Sequence, residues 1–268
     1  MKFTIPWPDD VAVLYDLAKQ GKLDAMFQVL GLGVLGILSS SAHPDKPASV
    51  EALKQDRAPG CAPEFFPMLL QRETGKRIGY WVDDPAAAPQ YVAIEAAIAA
   101  GTDAGTGRYW CCGRNLFETL RWLLEQHAAA QAAATDAPNA QLEGIRKFIV
   151  PYATESRYET GDAYLELYAR KAASVRVRLA TADTAEGMGI MVPATTYLPN
   201  AYTTQGMEMD ATLAQAQAAY QAGLMGNTLR ILKDLAAQWP QALSNPEAAS
   251  LFRAAYTELR RKLLAELV

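Results

Sequence analysis

Cys61-Ala62-Pro63-Glu64-Phe65-Phe66-Pro67 opens the stretch that decides the fold. Gly79-Tyr80-Trp81-Val82-Asp83-Asp84-Pro85, Pro89-Gln90-Tyr91-Val92-Ala93-Ile94 and Asn115-Leu116-Phe117-Glu118-Thr119-Leu120-Arg121-Trp122-Leu123-Leu124 follow it. Residues 65–70 and 78–82 are short aromatic and aliphatic runs, and polar Gln71-Arg72-Glu73-Thr74-Gly75-Lys76 lies between them, which is a hairpin signal. Asp83-Asp84-Pro85 ends the second run, because proline has no donor for a sheet ladder. Residues 91–94 then supply a third strand. Leu116, Leu120, Trp122, Leu123 and Leu124 make a broad apolar helical face, with Asn115 placed as its N-cap. The expectation is a small antiparallel sheet with a helix packed on it.

Outward from this stretch the bounds are set by composition. The chain has 268 residues, half of them hydrophobic, enough to bury a full core in one large or two small domains. A net charge of −4 argues against a polyanion-binding face, so no nucleic acid is expected as a partner. Three cysteines, Cys61 and the adjacent Cys111 and Cys112, make a poor disulfide framework and point to a reducing, cytoplasmic setting. The first ten residues lack the apolar core and cleavage site of a secretory signal, and the apolar run 29–38 is too short to cross a bilayer. No membrane association is expected.

Pro8-Asp9-Asp10 ahead of Val11, Val13, Leu14 and Leu17 reads as a capped first helix. Gly31-Leu32-Gly33-Val34-Leu35-Gly36 has the GxGxxG spacing of a dinucleotide fingerprint, but the residues before it are helical in pattern and a loop follows. It reads as an apolar loop between helices. Alanine-rich, proline-broken 128–140 reads as a linker between a first region, 1–127, and a second, 141–268. In the second region, residues 164–177 read as helix running toward strand, and Ser174-Val175-Arg176-Val177-Arg178-Leu179 alternates with period two. Gly187-Met188-Gly189-Ile190-Met191-Val192-Pro193 makes another short strand. Helices are expected over 211–220 and 227–239. Asn245-Pro246-Glu247 then starts a last helix whose face runs Leu251, Phe252, Ala255, Leu259, Leu263, Leu267. The fold class is α+β: a small antiparallel sheet with packed helices, then a mostly helical region with a short strand pair.

Chemistry is sparse. His43 and His127 stand alone, no His or Cys cluster has metal-ligand spacing, and neither a G-x-S-x-G elbow nor a P-loop occurs. Asp83-Asp84-Pro85 is turn chemistry, Trp81, Trp110 and Trp122 read as packing residues, and Glu186 and Glu208 read as solvated loop carboxylates. No cofactor, no metal and no enzymatic activity are expected.

The runs at 63–66, 79–85, 89–93 and 115–117 resemble the N-terminal region of the histone PARylation factor family and its bacterial relatives, often labelled "ADP-ribosylation family" proteins. That region is in turn similar to the SUKH (Smi1/Knr4-like) superfamily, so the first region is expected to be SUKH-like. Glu186-Gly187-Met188-Gly189-Ile190-Met191-Val192-Pro193 looks like the family's glycine-hydrophobic-Val-Pro segment, and 226–235, ending Lys233-Asp234-Leu235, looks like the helix beyond it. In the eukaryotic factor an Asp-Glu pair just ahead of that helix completes the active site of a poly-ADP-ribose polymerase. Aligned on Lys233-Asp234-Leu235, this chain has Gln221-Ala222 there, and neither Glu208 nor Asp210 stands in a matching context. The carboxylate that takes a proton from an acceptor is missing.

The SUKH likeness implies a cytoplasmic immunity protein that occludes a cognate bacterial toxin, with an ADP-ribosyltransferase as one such toxin. The alternative is a non-catalytic accessory factor for an ADP-ribosylating enzyme. Either way the partner is a protein, and an acidic balance suits a basic partner surface. The binding cluster expected from the sequence is Arg77, Tyr80, Asp83 and Asp84, beside the hairpin, with Trp81 assigned to the core.

Overall fold

The computed structural model describes residues 2–58, 60–96, 108–132, 140–153, 179–202, 206 and 208–268. In chain order the first half runs β1 (Lys2–Phe3), α1 (Asp9–Lys19), α2 (Asp24–Val29), β2 (Leu32–Val34), α3 (Gly36–Ser39), β3 (Ala48–Ser49), α4 (Val50–Lys54), β4 (Phe65–Gln71), β5 (Arg77–Trp81), β6 (Tyr91–Glu95), β7 (Tyr109–Gly113) and α5 (Leu116–Ala132). After α6 (Ala140–Ile149) come β8 (Leu179–Ala182), β9 (Ile190–Pro193), α7 (Met209–Gln221), α8 (Met225–Gln238), α9 (Pro246–Glu258) and α10 (Lys262–Leu267). The class is α+β.

The hairpin is where the sequence puts it. β4 and β5 pair antiparallel, Phe65 opposite Trp81, and Gln71 and Gly75 close the turn through Gly75 N–H to Gln71 C=O at 2.8 Å. β6 adds to β5 and β7 to β6, giving a five-stranded sheet in the order β2-β4-β5-β6-β7. Gly79 is fixed by close approach: a Cβ there would lie 1.9 Å from the Phe66 carbonyl oxygen, beside an irregularity in β4 between Pro67 and Leu69. Only a glycine fits the strand at that point.

Alternation along the strands sends successive side chains to opposite faces, and both faces are covered. Phe66, Ile78, Tyr80, Val82, Val92 and Ile94 join the main core with Leu14 of α1 and Leu116, Leu120 and Leu124 of α5. Phe65, Trp81, Tyr91, Ala93, Tyr109 and Cys111 form a second cluster with Met188 and Met191. The main core also takes in Leu229, Leu232, Phe252, Tyr256 and Leu264 from the C-terminal helices, so apolar packing is continuous from the first helix to the last.

Asn115 caps α5 as expected, its Oδ1 accepting from Glu118 N–H at 2.8 Å, while the Glu118 carboxylate accepts from Arg114 N–H at 2.9 Å. The first helix departs from expectation. α1 has no side-chain cap at Pro8, and Asp10 instead turns inward to accept from Tyr80 OH at 2.7 Å and from Leu116 N–H at 2.8 Å. An acid assigned to one helix thus satisfies an orphan donor of another. Burial is the main cause that raises the Asp10 pKa from 3.8 to about 6, against the lowering effect of those hydrogen bonds.

Gly31-Leu32-Gly33 is not an apolar loop between helices. Leu32 to Val34 form edge strand β2, in register with β4 as Leu32 to Gln71, Gly33 to Leu70 and Val34 to Leu69. Three residues with a glycine among them have little strand preference of their own; the partner strand supplies it. β7 is a further strand that the sequence reading does not assign: Tyr109 and Trp110 favour strands, but Cys111-Cys112-Gly113 adds no apolar-polar alternation. The last helix is two helices. Arg260 takes φ +61° after α9, and Arg261 N–H bonds back to the Tyr256 carbonyl at 2.7 Å, a left-handed stop that sets α10 on a new course. Asn245 caps α9 as anticipated, accepting from Glu247 N–H at 2.9 Å.

Of the stretch expected as a linker, residues 128–132 continue α5 and 133–139 lie outside the described residues. The helix-to-strand reading of 164–177 also lies outside them. The pairing of β8 with β9, Ala180 opposite Val192, gives the second region its short strand pair.

Candidate functional site

Four elements distant in sequence meet at Lys233. This lysine sits on α8 four residues after Leu229, hence on the buried side of its helix, and is 3 % exposed. Its Nζ lies 2.9 Å from Glu64 Oε1, just ahead of β4, and 2.6 Å from Glu186 Oε1, in the turn before β9. Tyr256 of α9 donates to the same Glu64 oxygen at 2.8 Å, and the Trp81 ring lies under the ammonium at 4.7 Å. The next residue, Asp234, accepts from Ala185 N–H at 2.7 Å and so pins the turn that carries Glu186.

The electrostatics follow from two carboxylates sharing one cation in a buried place. Burial raises Glu64, but Lys233, the Glu64 N–H and the Tyr256 hydroxyl together outweigh it and hold the acid below its ordinary range. Glu186 goes the other way: burial outweighs the attraction of Lys233, Glu64 adds repulsion, and its pKa rises to about 7. Burial works against the Lys233 charge, yet the two acids more than offset it and its pKa is raised. A carboxyl that titrates near neutrality is a familiar mark of a working site.

Geometry limits what it can do. Glu186 and Lys233 line a recess with Arg108, Tyr109 and Phe252 that offers only about 20 Å³ to solvent, room for about one water. Ligand pockets are of the order of 300–1,000 Å³. The arrangement can hold or release a proton and lock elements together. Among the described residues no group of three His, Cys, Asp or Glu is arranged to hold a metal.

Beside it stands a second buried ionic group. Glu95 at the end of β6 faces Arg108 at 2.6 Å and Arg77 at 3.4 Å, and accepts from Tyr109 OH at 2.8 Å. Tyr109 OH in turn accepts from Ala62 N–H at 2.9 Å, and Arg108 reaches the Gly60 carbonyl at 2.5 Å. These contacts fasten the segment before β4 to the far side of the sheet.

The sequence-derived binding cluster is therefore dispersed. Tyr80 is fully buried, on the opposite sheet face from Trp81, with its hydroxyl on Asp10; it offers nothing to a partner surface, and its assignment there is corrected. The reason is that both sheet faces are covered, so alternation hides β5 from Ile78 to Trp81 and leaves only Arg77, at its start, half-buried. Arg77 is committed to Glu95, and Asp83 is buried at the strand end. Asp84 alone is exposed, and its Oδ1 closes a turn by accepting from Ala86 N–H at 2.9 Å. Glu186, read as a solvated loop carboxylate, is instead in the buried cluster. Glu208 is exposed as expected.

Gln221 and Ala222 end α7 in an exposed turn, with Gly223 at φ +74° leading into α8. Asp210 lies eleven residues earlier on the same helix, about 16 Å away along its axis. Next to the start of α8, Asn227 clamps Leu198: its Oδ1 accepts from Leu198 N–H at 2.7 Å and its amide donates to Leu198 C=O at 2.9 Å. The clamp holds an apolar side chain that is 53 % exposed.

The family model described as Histone PARylation factor 1 matches residues 2–215, which takes in the five-stranded sheet, the β8–β9 pair and half of α7. No curated protein matches the chain.

Proposed function

The chain belongs to the histone PARylation factor 1 family, and from that premise we propose that it is an accessory factor that binds an ADP-ribosylating enzyme and adjusts its output without catalysing transfer itself. The observation that carries this reading is the extent of the match, which runs through residues 2–215 and is not confined to one motif. Its non-catalytic side is supported by the turn at Gln221-Ala222, beyond the matched residues. That position is exposed and carries no carboxylate, and the one acid of α7, Asp210, sits at the helix's other end. The two buried ionic groups act as fasteners that keep the surface rigid for a partner. A toxin-neutralising role and a SUKH-type first region draw no support from the match.

The test is reconstitution. The purified chain is mixed with a poly-ADP-ribosylating transferase, labelled NAD and a histone acceptor, and product is measured with complex formation by gel filtration. A stoichiometric complex that raises product or redirects it to other acceptor residues is the expected result. Consumption of NAD by the chain alone would make it an enzyme. Absence of both complex and effect, together with rescue of cells from a co-expressed toxin, would restore the immunity reading.

A further inference from the structure

We propose that the edge of the sheet at β2, which pairs on its outer side with no strand among the described residues, is a docking slot for an extended polypeptide segment carrying an acidic side chain opposite Gly33. The proposal does not rest on the accessory reading, because it names a surface and a ligand conformation that can be tested without any transferase.

The two edges of the five-stranded sheet differ. At the far edge, Tyr109 N–H donates to the Glu186 carbonyl at 2.8 Å, so the turn before β9 covers β7. At the near edge, Arg72 N–H bonds to Gly31 C=O at 2.9 Å and Leu35 N–H to Met68 C=O at 2.8 Å. With the register Gly33 opposite Leu70, these bonds place the polar groups of Gly33, the Gly31 carbonyl and the Leu35 N–H toward β4, while the Gly31 N–H bonds back to Gln28 C=O at 3.3 Å and the Leu35 C=O accepts from Leu38 N–H at 3.1 Å. The N–H and C=O of Leu32 and Val34 therefore face away from the sheet. A row of such groups at sheet spacing is matched by one kind of ligand, another extended backbone. The strand carries none of the proline, bulge or inward charge that keeps edges unpaired.

Space lies where the second backbone has to go. A groove of about 560 Å³ runs beside β2, bounded by the strand itself, by Lys19 at the end of α1 and by Phe27 of α2. Phe27 gives an apolar wall for alternate side chains. The charges set the preference. Arg72 lies across the strand, its Nε 3.2 Å from where a Gly33 Cβ would be, so the missing side chain is what lets the guanidinium rest there. Among the described residues neither Arg72 nor Lys19 makes an ion pair; Lys19 sits over the Tyr15 ring at 5.1 Å. Asp24 is the acid of the groove, and Glu73 flanks the Gly31 end, which leaves the Gly33 end cationic. An acidic side chain there pairs with a guanidinium that makes no ion pair among the described residues.

The experiment is a titration of the isotope-labelled full chain with a blocked heptapeptide of alternating threonine and valine with a central glutamate. Amide shifts confined to 31–35 and slowed exchange of the Leu32 and Val34 amides are expected, with about fivefold weaker binding when lysine replaces the glutamate. Val34→Pro removes an outward donor and no ladder bond, and should abolish binding. Arg72→Glu, which leaves the backbone alone, should invert the preference between the glutamate and lysine peptides. Shifts elsewhere, no shifts, or equal binding of a peptide interrupted by proline would overturn the proposal. So would concentration-dependent self-association that Val34→Pro removes, since that gives the edge to a second copy of the chain.

Discussion

Replacing Lys233 by methionine keeps the length and volume of the side chain and deletes the one cation between Glu64 and Glu186. Both acids are nearly inaccessible, 1 % and 4 % exposed, so water cannot take over from the ammonium. Removing one member of a buried ion pair typically costs about 3–5 kcal/mol, because the other charge is left behind without compensation. Here two are left behind, and proteins of this kind are stable by only about 5–15 kcal/mol in total. The cost must depend on pH. In the wild type Glu64 is held low, so its contribution is present above its unfolded pKa of 4.5 and is lost as pH falls through the lower folded value. In the variant the attraction of Lys233 is gone and burial pushes both acids up, so each takes up a proton more readily as pH falls and the penalty shrinks. Urea unfolding at pH 8 and pH 5, followed by the fluorescence of the tryptophans, should show a gap of about 3–5 kcal/mol at the higher pH and a clearly smaller one at the lower. Adding Glu64→Gln and Glu186→Gln to the variant should recover part of the loss non-additively. A gap under about 1 kcal/mol at pH 8, or one that does not change with pH, would refute the account of the cluster as an interdependent charge lock.

Three other outcomes follow from the same structure. Gly79→Ala forces a methyl to within 1.9 Å of the Phe66 carbonyl and should cost about 2–3 kcal/mol, read as a drop in thermal midpoint of several degrees. Asp10, with its pKa raised from 3.8 to about 6, binds a proton more readily folded than unfolded, so it should add stability as pH falls from above 6 toward 3.8; Asp10→Asn should flatten that slope. Asn227→Ala removes both hydrogen bonds to the Leu198 backbone and should cost about 1–3 kcal/mol, with faster amide exchange at Leu198.

What was legible in the sequence was what depends on neighbours along the chain. The hairpin at 65–81, the strand at 91–95, the Asn115 and Asn245 caps and the strand before Pro193 all declare themselves through patterns a few residues long. β2 does not, because its pairing with β4 crosses more than thirty residues and owes nothing to its own composition. The Tyr80 assignment failed for a related reason. A period-two strand shows that its faces differ, but not that helices cover one and the β8–β9 pair the other.

The buried cluster shows the limit most sharply, and also the one signal that was available. Glu64 and Lys233 are 169 residues apart, so no motif can join them. Yet Lys233 follows Leu229 by four and Leu232 by one on a helix whose other side is polar, and a lysine on an apolar stripe is almost never left unpaired. That rule predicts a buried acid somewhere, without saying which. It also bears on how the resemblance is to be weighed. Lys233 and Asp234 hold Glu64, Glu186 and the turn at Ala185, which makes them supports of the fold. Residues that any folded member needs for packing cannot tell a catalytic arrangement from an accessory one. The accessory role we propose therefore leans on residues the fold leaves free, such as the exposed turn of Gln221 and Ala222, whose side chains are an amide and a methyl group.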